Sequence, residues 1–299
     1  MHGLILLCIV AYIVYGIYVV KRYKESTYYR DTHLSYWAVR HDVGRWGEYL
    51  TYKYLQFYEQ QGAKFLFNCY LSKDNGETTE VDVMMIHKSG IYVFESKNYS
   101  GWIFGNEKSK TWTQTLPQGR KSHKEHFLNP IMQNKLHIKW LINALENENF
   151  PIHSIIVFSE RCTLKKVEVT SPDIKVIKRE NVKAVVNKID NESITMLSDS
   201  DINKIYDTLY PNTQVSSDTK QKHVQNIQEH LEKQEMSEVI IEMKTISSEE
   251  DMANEESSLI CPKCGANLLL RTSRKGENAG KQFYGCQGYP KCRYIKNID

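Results

Sequence analysis

Residues 80–104 read EVDVMMIHKSGIYVFESKNYSGWIF. Two apolar runs flank Lys88-Ser89-Gly90, so the stretch reads as two strands joined by a turn. Asp82 falls on the first strand, Glu95 and Lys97 on the second. Alternate residues of a strand share a face, so Glu95 and Lys97 point the same way, about 7 Å apart. Normal hairpin pairing brings Asp82 beside them. Two acids and a lysine on one sheet edge suit divalent-metal hydrolysis of a phosphodiester. Alone, an acid-x-lysine on a strand is more often a solvated face, so the case rests on what the flanking chain adds.

Upstream, residues 44–61 carry Trp46, Tyr49, Leu50, Tyr54 and Phe57 at helical spacing. Glu48 lies near the start of that helix, where the positive helix end tolerates an acid. Residues 64–71 read as a strand, and Asn75-Gly76 as a hairpin turn. Downstream, 102–104 reads as a short strand and Trp112-Thr113 as its continuation in the sheet. The basic run 120–127, RKSHKEHF, is expected in a loop, solvated or touching phosphate. Asn129-Pro130 opens a helix carrying Gln133, Leu136, His137 and Trp140. Residues 152–158, IHSIIVF, read as a strand buried on both faces. Further strands are expected at 167–169 and 174–177, and closing helices at 181–187 and 200–209. His87, His123, His126 and His137 show no paired spacing with an acid of the hairpin and are expected to be structural or surface groups. The order predicts an α/β fold with a mixed sheet flanked by helices.

The 299 residues are 41% hydrophobic and 25% charged, which fits a globular protein with a real core. A net charge of +3 says little about partners, because an acidic run at Glu249, Glu250, Asp251, Glu255 and Glu256 masks basic segments elsewhere. Residues 3–20 form 18 positions without a charge, followed by Lys21, Arg22 and Lys24. As a helix they span about 27 Å, close to the hydrocarbon core of a bilayer. The basic flank places the bulk of the chain on the cytoplasmic side of a bacterial-type cell membrane. A cleaved signal peptide fits less well: no basic segment precedes the run and no Ala-x-Ala follows it. Residues 24–42 are expected to be a polar and aromatic juxtamembrane connector.

Of seven cysteines, four cluster late: Cys261, Cys264, Cys286 and Cys292. The spacing, C-x2-C then C-x5-C after 21 residues, suits a tetrahedral thiolate site for structural Zn²⁺ in a segment with little core of its own. With all four positions thiolate, no open catalytic position is expected. Arg271, Arg274, Lys275, Lys281 and Arg293 supply phosphate contacts, and Phe283, Tyr284, Tyr289 and Tyr294 supply stacking faces. Between the two regions, 211–258 is polar and reads as a linker with at most a transient helix near Val224, Ile227 and Leu231.

The segment CPKCGANLLLRTSRKGENAGKQFYGCQGYPKCRY resembles the C-terminal zinc finger of bacterial type I DNA topoisomerases, which implies binding of single-stranded DNA. Gly44-x-x-Gly47-Glu48, Glu80-Val-Asp82, Glu95-Ser-Lys97-Asn98-x-x-Gly101 and Asn129-Pro130-x-x-Gln133 resemble the nuclease-related domain (NERD) family over about residues 40–150. That resemblance implies the PD-(D/E)xK, restriction-endonuclease-like fold and a nuclease acting on DNA. Asp82 and Glu95 would then hold Mg²⁺ or Mn²⁺, with Glu48 adding a contact. Lys97 would orient or deprotonate the attacking water or stabilise developing charge, and Gln133 would position water or phosphate. The chain departs from the pattern at Val81, where a proline usually precedes the first acid, and at Ser96.

The expected organisation is an anchor at 1–24, a nuclease-related domain at 25–210 with its core at about 40–160, a linker at 211–258 and a C4 zinc finger at 259–299. The function expected is a membrane-anchored, metal-dependent deoxyribonuclease, with a homodimer as an option for cutting both strands. Two readings compete with it. One is a non-catalytic, membrane-tethered DNA-binding protein with a degenerate nuclease fold; the other is an interaction scaffold.

Overall fold

A computed structural model of the chain describes residues 2–119, 121–146, 148–194, 196–230, 260–273, 278 and 280–298. The chain divides into two units, Met1–Val224 and Gln225–Asp299.

The first unit begins with helix α1 (His2–Lys24). Its stretch Leu4–Lys24 has a mean hydropathy of 2.3 and is long and apolar enough to cross a membrane. Leu4, Leu7, Tyr12 and Ile17 all stand exposed along it. Its last turn behaves differently. Tyr23 is fully buried, and the rings of Tyr28, Tyr29, Tyr36 and Tyr49 surround it. The segment expected as a connector therefore folds. Ser26 caps helix α2 (Thr27–Thr32) and Ser35 caps α3 (Tyr36–His41), each hydroxyl accepting a backbone N–H of the first turn. What reads as polar linker is a set of caps, and its tyrosines are core.

Asp42 caps helix α4 (Val43–Leu55) by accepting from the Arg45 N–H. A five-stranded sheet follows, built from β1 (Lys64–Ser72), β2 (Thr78–His87), β3 (Gly90–Lys97), β7 (Ile152–Phe158) and β9 (Ile174–Lys178) in that spatial order. The first three are antiparallel; β3, β7 and β9 are parallel. The mixed sheet is thus as expected. Helices α4 and α6 (Val182–Glu192) cover one face, where Tyr52, Leu55 and Val186 meet Val83, Met85, Tyr92 and Phe94. Helices α5 (Pro130–Ala144) and α7 (Asp199–Leu209) cover the other, where Trp140, Leu141 and Ile205 meet Met84, Ile86, Ile91 and Val93. Asn129 starts α5, its side-chain oxygen accepting from the Ile131 N–H, with Pro130 at the first helical position.

The first two strands exchange faces at one point. Phe65, Phe67, Val83 and Met85 face α4, whereas Cys69, Leu71 and Val81 face α5. Asn68 and Asp82 fall at the crossing, between the pairs Phe67↔Val83 and Cys69↔Val81, and Asn68 has φ of 51°. Asparagine tolerates this left-handed conformation better than most side chains. Asp82 therefore sits where both faces of the sheet can be reached.

A second, four-stranded sheet runs β6-β5-β4-β8, from β4 (Gly101–Asn106), β5 (Thr111–Gln118), β6 (Lys121–Leu128) and β8 (Cys162–Glu168). The basic run expected as a loop is β6, paired with β5 from Thr111↔Leu128 to Gln118↔Lys121. It is an exposed edge strand, and its lysines and histidines are the kind of residues that keep such an edge from pairing with another chain. Ile103, Trp112 and Cys162 pack on Ile131, Ile156 and Phe158, joining the two sheets. Residues 217–230, inside the expected linker, are helical; His223 is buried and bonds Thr78 Oγ1 at 2.9 Å.

In the second unit, β10 (Leu268–Thr272), β11 (Gln282–Cys286) and β12 (Ile295–Asn297) form an antiparallel sheet.

Candidate active site and metal centre

Glu95 and Lys97 share the α5 face of β3, as alternation requires. Lys97 Nζ lies 2.7 Å from Glu95 Oε1. The other oxygen, Oε2, is 3.1 Å from His137 Nε2, and His137 Nδ1 is 2.7 Å from Thr79 Oγ1. Glu95 is only 3% exposed. Asp82 Oδ2 accepts from the Ser96 N–H at 3.3 Å, which binds the face-crossing of β2 to β3.

Glu48 approaches from α4, on the opposite face, with the Tyr28 hydroxyl 3.5 Å from its Oε2. Glu48, Glu80, Asp82 and Arg45 line a cleft of about 410 Å³, with Lys220 and Val224 from the helix over 217–230 at its edge. Gln133 stands one helical turn before His137 on α5. Its Oε1 is buried with no hydrogen-bond partner among the described residues. The structure thus brings Asp82, Glu95 and Lys97 together and lets Glu48 reach Asp82 from across the sheet.

The acids are not equivalent. Burial first, and the neighbouring Glu95 charge second, push Asp82 up to about 7. Burial, then Asp82 and Glu80, raise Glu48 well above the usual carboxylate range. Burial also acts on Glu95, but Lys97 and His137 overcome it and hold that carboxyl at about 2. Burial pushes Lys97 down, yet the charges of Glu95 and Asp82 outweigh it and leave the ammonium above its ordinary value. The site is a Glu95–Lys97 ion pair beside two acids, Asp82 and Glu48, whose carboxyls are raised by burial and by the charge of neighbouring carboxylates. Hard carboxylate and amide oxygens are the donor set that Mg²⁺ or Mn²⁺ takes. The carboxylates are nonetheless spread along the sheet edge: among the described residues, only the four cysteines bring three or more ligand atoms within 4.8 Å of one another.

The flanking motif residues hold this geometry. Asn98 Nδ2 donates to Val43 O at 2.8 Å, and its Oδ1 accepts from Arg179, 3.4 Å away. Arg179 is fully buried and pairs with Glu160 at 2.8 Å. Ser96, the unusual residue between Glu95 and Lys97, turns to α4 and meets Thr51 Oγ1 at 3.1 Å. Gly47 lets α4 lie on this point: a Cβ there would stand 2.8 Å from Asn98 Cβ. Gly47→Ala is therefore expected to push α4 off β3, costing about 1–3 kcal/mol and displacing Glu48. Thermal unfolding checks this; an unchanged midpoint would mean that the helix seat is not tight.

His137 is structural, as expected, but its contact with Glu95 is not visible in the sequence. It is no metal ligand by spacing, but it fixes the free oxygen of Glu95. The available signal was its position, one helical turn after Gln133. Sequence reasoning missed Glu80, beside Asp82 in the cleft.

In the finger, Cys261 and Cys292 Sγ atoms are 3.7 Å apart and those of Cys264 and Cys286 3.4 Å. All four fall within 4.8 Å of one another. Sulfurs about 2.3 Å from a tetrahedral Zn²⁺ stand about this far apart, so the set fits structural zinc. Arg271, Phe283, Tyr289, Arg293 and Tyr294 line one groove of about 260 Å³. Lys281 is exposed. Tyr284, half-buried, packs like Tyr294 against the small core of Cys261, Leu268 and Cys286 and does not line that groove. Arg274 and Lys275 lie outside the described residues.

A mixed sheet with an acid-acid-lysine edge, joined to a four-cysteine ribbon, defines a class. The nuclease-related domain model matches residues 43–159, and the topoisomerase DNA-binding C4 zinc finger model matches 259–299. An uncharacterised protein of Bacillus anthracis is 31% identical over 204 residues, covering 66% of this chain and 91% of that protein. DNA topoisomerase 1 of Methanocaldococcus jannaschii is 48% identical over 44 residues, 15% of this chain and 5% of the topoisomerase. DNA topoisomerase 1 of Helicobacter pylori is 44% identical over 46 residues, 15% of this chain and 6% of the topoisomerase. No solved structure matches the chain. The chain belongs to the nuclease-related domain family and carries a topoisomerase-type zinc finger. That pairing supports DNA as its partner.

Proposed function

We propose that the protein is a membrane-anchored, metal-dependent nuclease that hydrolyses DNA phosphodiester bonds while its finger grips single-stranded DNA. The observation that carries this is the placement of the groups: Lys97 lies 2.7 Å from Glu95, Asp82 is tied to the Ser96 N–H between them, and Glu48 lines the same cleft as Asp82. Asp82, Glu95 and Glu48 would hold Mg²⁺ or Mn²⁺. The bound ion would polarise the phosphate and acidify a water. Lys97, 2.7 Å from Glu95 and held above its ordinary value by Glu95 and Asp82, would donate to the developing negative charge. Gln133 offers its unpartnered oxygen to a water proton. His137 keeps Glu95 in place. Helix α1 serves as the membrane anchor, and Lys21, Arg22 and Lys24 put the nuclease unit on the cytoplasmic side. An anchor at 1–24, a nuclease unit at 25–210, a linker at 211–258 and a finger at 259–299 remain the proposed division, beside the structure's own two units, Met1–Val224 and Gln225–Asp299.

The alternative, a non-catalytic DNA tether, draws support from both Glu95 oxygens being engaged by protein groups. Incubating the detergent-solubilised full chain with DNA and Mg²⁺ or Mn²⁺, beside Lys97→Ala, separates the two. The expected result is cleavage that Lys97→Ala slows by about 10²–10³-fold. Equal cleavage by both proteins would remove the site from the mechanism. Binding without cleavage in the wild type would favour the tether.

A further inference from the structure

The second sheet has a face that this mechanism leaves unused. Ile103, Trp112 and Leu164 turn inward onto the core. Strand alternation and the pairing Trp102↔Thr115 and Phe104↔Thr113 then turn Trp102 and Phe104 outward. Lys124 and His126 on β6 stand on that same side, opposite Thr115 and Thr113. Among the described elements, no helix packs broadly across it. Trp102 is 42% exposed on one of the two inner strands.

A register shift between β4 and β8 at Ile103/Phe104 adds Lys165 as an extra residue. Its Nζ sits 5.3 Å from the centre of the Trp102 ring. Lys166 pairs with Glu168 at 3.5 Å, at the far end of the face. Among the described residues neither Lys124 nor Lys165 forms an ion pair; the acids on the same strands, Glu125 and Glu168, pair with His123 and Lys166.

We propose that this face binds a single strand of DNA, with a base stacked on Trp102 and neighbouring phosphates on Lys124 and Lys165. The proposal rests on DNA being the protein's substrate. A sheet face with an exposed ring beside Lys165, and Lys124 on the same side, is a platform for an unstacked base; paired bases in a duplex present no free face to it. A protein partner fits less well, because lysine is depleted where aromatic anchors are buried at interfaces. The position also suits the reaction. Trp102 follows Lys97 by five residues, so their Cα atoms are no more than about 18 Å apart. A strand lying on this face therefore continues to the acid edge within a few nucleotides. The finger groove is a separate hold, carried by its own unit.

The test uses the full chain with Arg271→Ala and Arg293→Ala, which reduces the finger's share of binding. A fluorescein-labelled deoxythymidine 20-mer is titrated by anisotropy without added Mg²⁺ or Mn²⁺. Adding Trp102→Ala is expected to weaken binding by about tenfold, and Trp102→Phe to restore most of it. Lys124→Ala with Lys165→Ala is expected to lower the slope of log affinity against log salt by about 1.4. Unchanged affinity with Trp102→Ala and an unchanged salt slope with the lysine pair would overturn the proposal. Should Trp102→Ala unfold, Trp102→Phe and the exposed lysine pair decide on their own. Binding alone is read, so the outcomes separate. If the wild type never cuts but these variants bind as expected, the platform stands and the nuclease reading falls. If Lys97-dependent cutting persists while they bind unchanged, only the platform falls.

Discussion

Asp82→Asn is expected to abolish DNA cleavage and to raise the melting temperature of the metal-free protein. The two effects share one cause. Asp82 is half-buried beside Glu95, and folding raises its pKa from 3.8 to about 7. A group raised in this way binds its proton more tightly folded than unfolded. Its protonated form costs nothing below pH 4, and stability is lost as pH climbs from about 4 to about 7. Above pH 7 the ionised carboxylate costs the fold about 2–4 kcal/mol, a penalty that asparagine does not carry. The advantage of Asp82→Asn should therefore grow from pH 4 to pH 7 and then level off. Adding Mn²⁺ should reverse the order, raising the wild-type midpoint while leaving the variant nearly still, because cation binding relieves the same repulsion. Thermal scans at pH 5 and pH 8, each with and without Mn²⁺, read all of this without an activity assay. A variant that melts lower than wild type at pH 8 would make Asp82 a structural acid and take away the main support for a metal site.

Cys286→Ser is expected to collapse the finger and to cut affinity for single-stranded DNA by at least about tenfold. The finger's core is Cys261, Leu268 and Cys286, with Ala266, Tyr284, Cys292 and Tyr294 packed against it. So few apolar groups cannot order three short strands, whereas zinc in such a setting supplies about 10–16 kcal/mol. Loss of one thiolate should therefore release the zinc and the strands together. The groove of Arg271, Phe283, Tyr289 and Arg293 exists only while those strands hold it. Zinc content, limited proteolysis and DNA anisotropy should change together, while the nuclease unit keeps its own unfolding transition. One zinc per chain and unaltered affinity in Cys286→Ser would contradict the assignment.

How much of this was legible beforehand depends on the kind of pattern. Residues 80–104 declared their strands because buried apolar residues crowd β2 and β3. The cysteine spacing declared its metal, and Asn129-Pro130 its helix start. The strand over Lys121–Leu128 looks like a loop in sequence because nearly all of its residues meet solvent, which removes any alternation. The α2–α3 segment looked like a connector because tyrosine reads as an exposed residue; here Tyr23 and Tyr28 are fully buried. His137 was hidden because its meaning lies in a contact 42 residues away. Asn68 was hidden because one backbone angle, and no composition, moves Asp82 to the crossing of the two faces.

The buried Tyr23 bears on how the protein works as a machine. A helix that ended in a flexible segment would leave the nuclease unit swinging beneath the bilayer on a string. Here the final turn of α1 is clamped by four tyrosine rings, and the Tyr23 hydroxyl donates to Leu34 O at 2.8 Å. With α1 in a membrane, the acid edge is mounted at a fixed height, like a blade on a rigid stalk. Its working volume is then a thin shell parallel to the bilayer. Under the proposed function, DNA would come within reach of that edge only close to the membrane.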